Sequence, residues 1–413
     1  MMTTERLYYT DSHLTEFDAR VTEATKTADH RTVVVLDRTA FYPTGGGQPT
    51  DTGTLNAWRV VECVDDEVRG VLHVIEGDAP EAGARVTGRV DWPLRLDHIQ
   101  QHTAQHILSQ ALIQLFNAET RGFRMMERTS EIDVALESPN DARITQAVEL
   151  ANEIVWSNRV VHVHNNITPE AAARMKLRKE SSREGLLRVV EIEGFDANAC
   201  GGTHAKRTGE VGIICVRSWE RAKGMTRLEF VAGKRALADY NQANQTARNV
   251  AAQFSVGRDE APASVGRLSE EHKALMRRIA ELETLEARVK ADALRAESIH
   301  PADGVQIIWR VIEAARLEDL KRIAQALVVA GSVQTIALLG AVENDTARLV
   351  FARSSETSAD MNALMREACA MIEGRGGGRA DFAQGGGKRT EKLAETLEQL
   401  ARNLLQNQTV REA

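Results

Sequence analysis

Two short motifs, about a hundred residues apart, each place two metal-binding side chains four positions apart. They are His102-Thr-Ala-Gln-His106 and Cys200-Gly-Gly-Thr-His204. On a helix, side chains four positions apart lie on the same face, one turn from each other. Three imidazoles and one thiolate form a ligand set suited to Zn²⁺. Because neither motif would bind a metal well by itself, the fold must bring the two together.

The first motif is similar to those of zinc proteases, in which a glutamate follows the first histidine. Thr103 stands at that position, so protease chemistry is not expected. Four protein ligands are typical of structural zinc, whereas a catalytic zinc keeps one position open. The motifs leave open whether all four side chains bind at once. His98, one turn before His102, is a competing ligand, and we expect it to support the ligands from outside or to contact RNA.

Composition places the chain among ordinary globular proteins. Its 413 residues, 43% hydrophobic and 27% charged, suffice for two or three domains. Four scattered cysteines are too few for a disulfide framework. No apolar run follows the first residues, and none reaches the length of a membrane span. We therefore expect a cytoplasmic protein with no membrane partner.

The formal net charge of −7 does not exclude a nucleic-acid partner, because a local basic patch matters more than the total. Basic residues outnumber acidic ones between Arg174 and Arg235. This stretch is either a nucleic-acid patch or a mixed-charge surface, and composition by itself favours the second interpretation.

Hydrophobic periodicity predicts an α+β protein and divides it into four stretches, one of them a linker. Strands at Thr32–Leu36 and Val71–Ile75, with glycine turns between them, indicate a small barrel or sandwich, of which we expect the β-barrel. The predicted domains are the β-barrel at 1–90, an α+β zinc-containing domain at 91–236, a helical or coiled-coil linker at 237–300 and a C-terminal α/β domain at 301–413.

Within 91–236, a helix starting near Leu96 is expected to carry the first histidine pair. Pro169 after Thr168 indicates the start of another helix, since proline is favoured at the first helical position. The remaining predicted elements are a helix at Ile144–Trp156 and strands at Val160–Val163, Leu187–Ile192, Val211–Val216 and Leu228–Val231.

The linker carries an apolar stripe at spacings of three, four and seven, typical of a coiled coil. The stripe either joins two copies of the chain or packs within its own domain, and the sequence does not decide. Its residues are Leu268, Leu275, Ile279, Leu282, Leu285 and Val289.

The C-terminal domain alternates predicted strands and helices and ends in glycine-rich segments. The strands are Gln306–Trp309, Thr335–Leu339 and Leu349–Ala352, and the helices are Leu317–Val329, Met361–Ile372 and Glu391–Leu405. The glycines of 374–378 and 385–387 are either a flexible linker or a nest for backbone phosphates. The arginines interleaved with them favour nucleic acid.

A second glycine run, Gly45-Gly46-Gly47-Gln48, follows the first predicted strand. It is either a hairpin turn that needs positive φ angles or a backbone segment that approaches a phosphate or carbonyl oxygen closely. Polar neighbours at Thr39, Tyr42 and Thr44 favour the ligand-binding interpretation.

Three separated motifs resemble the editing region of alanyl-tRNA synthetase. They are the run from Leu36 to Gln48, the helix with His102 and His106, and the Cys200-to-His204 motif. The segment ending Ala383-Gln-Gly-Gly-Gly resembles that enzyme's C-terminal, DHH-associated domain, and the helical stretch resembles its linker. Because the chain begins at the β-rich part, we expect a freestanding alanyl-tRNA editing protein of the long form.

The resemblance implies zinc-dependent hydrolysis of Ser-tRNA(Ala) in trans, with Gly-tRNA(Ala) as a second candidate substrate. It implies a fold homologous to the ATP-binding synthetase and a serine-reading role for Thr39, whose hydroxyl can bond the hydroxyl that alanine lacks. Related sequences often carry Glu-Ser before the Gly-Gly-Gln, whereas here Pro43, Thr44 and Gly45 precede Gly46-Gly47-Gln48. The implied residues are, for metal, His102, His106, Cys200 and His204; for catalysis, Thr39, Gln48 and Cys200; for the amino acid, Thr39, Tyr42, Gly45, Gly46, Gly47 and Gln48; and for tRNA, Arg375, Arg379, Lys388 and Arg389.

Zinc is expected to orient the aminoacyl end or to activate water, with glycine-turn amides stabilising the oxyanion. No residue stands out as a general base. The alternatives are a tRNA-binding module with a purely structural zinc and editing of another substrate such as Ser-tRNA(Thr). Expected partners are tRNA(Ala) charged with serine or glycine and a second copy of the chain, bound through the helical or C-terminal region.

Overall fold

The computed structural model describes residues 4–27, 30–78, 80–175, 177–179, 185–298, 304–329 and 333–409. The chain folds into two compact units, Met1–Arg258 and Asp259–Ala413. The α+β class is confirmed, since the described residues form several sheets together with eight α-helices. The division into four domains stays a prediction. Among the described residues, no helix combines the length and apolar character needed to cross a membrane.

The first unit begins with eight short strands. Six of them pair in the closed order β2-β3-β7-β6-β5-β8, while β1 and β4 form a separate parallel pair. Alternate residues of the ring, such as Val34, Leu55 and Val60, are buried in one core. The strands are β1 (Glu5–Arg6), β2 (Glu16–Lys26), β3 (Thr32–Leu36), β4 (Arg38–Thr39), β5 (Gly53–Leu55), β6 (Trp58–Asp66), β7 (Gly70–Ile75) and β8 (Arg85–Val90).

The rest of this unit packs a long helix, α1, against two antiparallel sheets of order β14-β15-β10-β9 and β11-β12-β13. Ile99, Ile107, Leu108 and Leu112 of α1 are fully buried in this core. The elements are α1 (Trp92–Phe116), β9 (Thr120–Met125), β10 (Ser130–Val134), α2 (Asp141–Trp156), β11 (Val161–Ile167), α3 (Pro169–Arg174), β12 (Leu187–Ile192), β13 (Asp196–Ala199), β14 (Ile214–Ala222), β15 (Met225–Ala232) and α4 (Gly233–Gln253).

Local signals in the sequence located most of these elements. Thr168 caps α3 by accepting a hydrogen bond from the Ala171 amide, with Pro169 in the first turn as predicted. The predicted strand Val211–Val216 is wrong at its start. A 3-10 turn ends at Val211, and the left-handed backbone of Gly212 (φ 68°) delays β14 until Ile214.

The second unit is a five-stranded sheet of order β16-β17-β18-β20-β19 covered on both faces. Only β16 and β17 are parallel among its described strands. Helices α7 and α8 pack on one face, and α6 with the end of α5 packs on the other. The elements are α5 (Ala261–Glu297), β16 (Gln306–Val311), α6 (Leu317–Val329), β17 (Thr335–Glu343), β18 (Thr346–Arg353), α7 (Met361–Met371), β19 (Gly374–Gly378), β20 (Phe382–Gly387) and α8 (Leu393–Thr409).

The C-terminal glycines form paired strands, so their interpretation as a linker or a phosphate nest is wrong. Gly376 of β19 lies opposite Gly385 of β20 in an antiparallel pair. A Cβ atom would lie 2.8 Å from the Cys369 sulfur at Gly376 and 2.5 Å from it at Gly385. The glycines therefore allow α7 to pack directly on the backbone of these two strands.

The apolar stripe of α5 does not pack within its own unit. Its residues Leu268, Leu275, Leu282 and Val289 are between 48 and 62% exposed. Dimerisation through this stripe stays a prediction.

A buried ion pair fastens α1 to the loop that follows β4. Arg95 is 0% exposed, and its Nε lies 3.1 Å from each carboxylate oxygen of Asp51. Its two Nη atoms donate to the carbonyls of Ser12 (2.8 Å) and Ala40 (2.6 Å). Each of the three guanidinium nitrogens thereby donates at least one hydrogen bond, as an enclosed charge requires.

We expect Arg95→Met to lower the free energy of unfolding of the first unit by about 3–5 kcal/mol, because the Asp51 carboxylate would stay buried without its partner. Urea unfolding of the full chain measures the change. The matched control is Arg89→Met, whose ion pair with Glu16 is exposed and should contribute less than about 1 kcal/mol. An equal loss of unfolding free energy in Arg95→Met and Arg89→Met would contradict a stabilising role of the buried Arg95–Asp51 pair.

Candidate metal centre

The structure brings the four predicted metal ligands together. Helix α1 presents His102 and His106 on one face, and the chain leaving β13 supplies Cys200 and His204. One ligand atom from each residue lies within 4.8 Å of all the others. The Cys200 Sγ is 3.4 Å from the His102 Nε2 and 3.3 Å from the His204 Nε2. Donor atoms around a tetrahedral metal ion lie roughly 3.3–3.6 Å apart, and the two sulfur-to-nitrogen distances match this spacing. The four residues could therefore hold a metal ion.

Each imidazole is oriented by a hydrogen bond at its outer nitrogen. The Nδ1 atom is bonded to a neighbouring oxygen, which leaves Nε2 facing the centre of the cluster. Metal-binding histidines are commonly held in this way, because the outer bond selects the ring tautomer. The pairs are His102 with the Gln48 Oε1 at 2.8 Å, His106 with the Asp196 Oδ2 at 3.1 Å and His204 with the Thr103 Oγ1 at 3.3 Å.

Gln48 links the glycine turn to this centre. It is 1% exposed, and its amide donates to the Thr203 hydroxyl at 2.9 Å. Its Oε1 accepts from both the His102 ring and the Thr203 amide. The predicted catalytic residue Gln48 therefore lies behind a metal ligand, with its amide group engaged on both sides.

The pKa shifts of Cys200 and His204 favour metal binding, whereas the shift of His106 opposes it. Burial opposes ionisation of the Cys200 thiol, but His102 and His204 hold its pKa well below the ordinary value. Burial lowers the pKa of His204 to about 3. Burial also acts to lower the pKa of His106, but hydrogen bonds with Asp196 and Cys200 raise it overall. A thiolate and a neutral imidazole are the forms that bind a metal.

The Gly45–Gln48 turn has hairpin geometry. The amides of Gly45 and Gln48 donate to each other's carbonyls, and the two residues between them have positive φ angles, 56° at Gly46 and 83° at Gly47. A Cβ at Gly47 would lie 2.5 Å from the Phe123 carbonyl oxygen. The hairpin interpretation therefore describes the backbone, and two of the turn's amides are used within it.

Thr39 lies in the core of the first unit and is 0% exposed. Its hydroxyl is 2.8 Å from the His73 Nε2 and accepts from the Phe41 amide. Burial lowers the pKa of His73 to about 4, and its Nδ1 donates to the Val34 carbonyl. The neutral His73 Nε2 must therefore accept a hydrogen bond from the Thr39 hydroxyl. With its hydrogen used in this way, Thr39 can only accept a hydrogen bond from a further partner.

A cavity of about 820 Å³ opens on the metal centre. His102, His106 and Cys200 line it, together with the predicted residues Tyr42, Gly45 and Gly46. Thr39, Gly47 and Gln48 are not part of the lining. Its charged residues are Arg6, Arg121, Arg178, Lys179, Arg188, Asp65 and Glu119. Basic groups thus outnumber acidic ones.

Other predicted contacts lie elsewhere. His98 is 3% exposed, 3.9 Å from an Asp51 oxygen, so it cannot contact RNA in this conformation. In the second unit, Arg389 is paired with Glu373 and Glu391, and Arg379 with Asp381. Arg375 and Lys388 are exposed on or beside the glycine strands.

Sequence reasoning did not find the residues that support the ligands, namely Asp196, Thr103 and Thr203. They carry no spacing signal, because Asp196 meets His106, Thr103 meets His204 and Thr203 meets Gln48 only after folding. Asp196 additionally lies 3.5 Å from the Arg178 Nη1, which donates to the His106 carbonyl.

We expect Gly202→Ala to weaken Zn²⁺ binding at least tenfold. A Cβ at Gly202 would lie 2.2 Å from the His102 ring, which must then leave the cluster. Competition with a chromophoric chelator measures the affinity. Gly201→Ala is the matched control, because its Cβ meets nothing closer than the Tyr9 hydroxyl at 3.8 Å. Unchanged affinity in Gly202→Ala would contradict the geometry of the centre.

Three family models match the chain. They are described as tRNA synthetases class II (A), at residues 2–94; Threonyl and Alanyl tRNA synthetase second additional domain, at residues 187–229; and DHHA1 domain, at residues 304–406. The second covers Cys200 and His204, half of the four-residue cluster.

Curated relatives match nearly the whole chain. The alanine–tRNA ligases of Methanopyrus kandleri and Methanobrevibacter smithii are 34% and 30% identical over 95% of it, which is 44% and 45% of their own lengths. The solved C-Ala domain of Aquifex aeolicus alanyl-tRNA synthetase matches 25% of this chain and 94% of its own, at 28% identity and a TM-score of 0.23. The alanyl-tRNA editing protein AlaX-L of Pyrococcus horikoshii is 32% identical over 92% of this chain and 94% of its own length. The chain belongs to the family of alanyl-tRNA editing proteins.

Proposed function

We propose that the chain is an aminoacyl-tRNA deacylase that hydrolyses Ser-tRNA(Ala), with Gly-tRNA(Ala) as a second candidate substrate. The observation that carries this proposal is a four-ligand cluster with one side on a large, basic cavity. The editing function of the AlaX-L relative supports the reaction class.

His102, His106, Cys200 and His204 would hold Zn²⁺, since their donor atoms converge and their outer nitrogens are already bonded. Bound there, zinc would supply polarisation of the ester carbonyl or of an attacking water. If zinc used all four ligands, its role would be to shape and orient the site.

The cavity supports binding of a nucleotide end. Its five basic side chains face two carboxylates, and each of those is already ion-paired, Asp65 with Arg6 and Glu119 with Arg121. A positive lining attracts the phosphates of a tRNA 3′ end. The described lining contains no unpaired carboxylate to act as general base. Proton transfer through water or through the neighbouring ribose hydroxyl therefore fits the cavity best.

We assign serine recognition to Thr39. Because the Thr39 hydroxyl donates to His73, its oxygen can accept a hydrogen bond from the serine hydroxyl. Thr39 is 0% exposed and does not line the cavity, so this assignment requires a local rearrangement that opens Thr39 to the bound substrate. Alanine has no group to make that bond, and glycine has none either.

The partner we propose is tRNA(Ala), with Arg375, Arg379, Lys388 and Arg389 as contacts in the second unit, and the compartment is the cytoplasm. The second candidate function is a tRNA-binding module with a structural zinc. It is favoured by the cluster itself, because four protein ligands can complete a tetrahedral site.

The deciding experiment compares deacylation of Ser-tRNA(Ala), Ala-tRNA(Ala) and Ser-tRNA(Thr) by the metal-loaded and chelated protein. We expect zinc-dependent release of serine from tRNA(Ala) while alanine is spared. Cys200→Ala should remove the activity and the metal but leave the fold. Retained tRNA binding with no hydrolysis of any substrate would favour the binding module.

We expect Thr39→Val to lower the ratio of serine to alanine release by about tenfold, because one hydrogen bond to the substrate is lost. Thr44→Val is the matched control, since Thr44 lines the cavity and is exposed. Rates on both charged tRNAs measure the ratio. A ratio that does not change would leave Thr39 as a core residue with no part in selectivity.

A further inference from the structure

Arg188 of β12 holds the chain segment that carries the Cys200 ligand. Its Nη1 donates to the carbonyls of Cys200 (2.7 Å) and Gly202 (3.0 Å). Its Nε donates to the Tyr9 carbonyl at 3.2 Å. The Cys200 amide in turn donates to the Arg188 carbonyl at 3.0 Å. The side chain and the backbone of Arg188 thus both hydrogen-bond to the segment from Cys200 to Gly202.

The enclosed position of the Arg188 guanidinium is not explained by an ion pair. Among the described residues, none of the ion pairs includes Arg188, and its Nη2 is enclosed without a hydrogen-bond partner. The guanidinium lies 5.2 Å from the centre of the Tyr9 ring, and burial lowers its pKa. Enclosing a cation without a carboxylate costs free energy, so its fork of carbonyl bonds is the interaction that keeps it in place.

The Cys200-to-Gly202 segment has few other means of holding its shape. Gly201 and Gly202 have no side chains, and the Gly202 amide donates to the Cys200 sulfur at 3.4 Å. The His102 ring packs against the Gly202 backbone. The curvature between the two carbonyls therefore decides where the sulfur points, and one Nη1 atom spans both.

We propose that Arg188 is a positioning residue for the metal centre, which directs the Cys200 sulfur toward the three histidines by fixing the carbonyls on either side of Gly201. The inference rests on the proposed metal site and is independent of the tRNA substrate.

The direction of the effect separates this role from simple electrostatics. A cation near a metal repels it, so removal of an arginine that acts only through its charge would tighten binding of a divalent ion. Removal of an arginine that positions a ligand weakens binding, typically by about 10–100-fold. The two accounts therefore predict changes of opposite sign for Arg188→Met.

The test is Co²⁺ titration of the full chain without tRNA, followed through the thiolate-to-cobalt absorption band and the d–d bands of tetrahedral Co²⁺. We expect Arg188→Met to bind Co²⁺ about 10–100-fold more weakly, with a reduced thiolate band. Arg188→Lys keeps the charge but not the planar fork, so its Co²⁺ affinity should lie between those of the wild-type chain and Arg188→Met. Urea unfolding identifies any variant that does not fold. If Arg188→Met does not fold, the Co²⁺ affinity of Arg188→Lys tests the positioning role.

Arg121→Met is the matched control, because Arg121 lines the same cavity but pairs with Glu119. Its removal should leave Co²⁺ affinity equal or slightly tighter. Unchanged or tighter binding in Arg188→Met, with an intact thiolate band, would overturn the positioning role. A wild-type chain that binds no Co²⁺ would overturn the metal centre as well, whereas metal binding without deacylation would overturn only the proposed reaction.

Discussion

The buried contact between Arg95 and Asp51 fixes helix α1 to the loop after β4, and both of these segments carry residues of the candidate metal site. Both residues are 0% exposed, and the Arg95 guanidinium bonds the Asp51 carboxylate, the Ala40 carbonyl and the Ser12 carbonyl. The loop that supplies Asp51 also supplies Gln48, and the helix that supplies Arg95 also supplies His102. The ion pair between Arg95 and Asp51 therefore helps to position both His102 and the Gln48 amide that bonds it.

The site is assembled from three parts of the chain that are distant in sequence. Helix α1 gives two histidines, the segment after β13 gives a cysteine and a histidine, and the glycine hairpin gives Gln48. Each part is a poor ligand set by itself, and each is held by groups of another part. Gln48 bonds both His102 and Thr203, so it couples the two ligand motifs directly. This coupling explains why a residue of the hairpin belongs with the metal centre although it cannot reach the cavity.

Charge is distributed so that the cavity stays basic while its acids are paired. Of the basic residues between 174 and 235, Arg178, Lys179 and Arg188 line the cavity, whereas Arg227 and Arg235 are engaged by Asp133 and Asp97. The basic stretch is thus neither a continuous patch nor a uniform mixed surface. The fold places some of these basic residues in the cavity lining and others in ion pairs with Asp133 and Asp97. A count of charges along the chain cannot show this difference.

The sequence by itself determined which four side chains, His102, His106, Cys200 and His204, form the candidate metal site. It also determined the strand Thr32–Leu36, the capped start of α3 and the α+β class. These depend on spacing, local periodicity and capping chemistry, all of which act over a few residues. Tertiary structure decided that the C-terminal glycines are strands under α7, that Gln48 supports His102, and that Arg188, Asp196 and Thr103 hold the centre in place. The hydrogen bond of Gln48 to His102 joins residues 54 positions apart, and that of Thr103 to His204 joins residues 101 positions apart. No local pattern encodes which distant oxygen a ring nitrogen will meet.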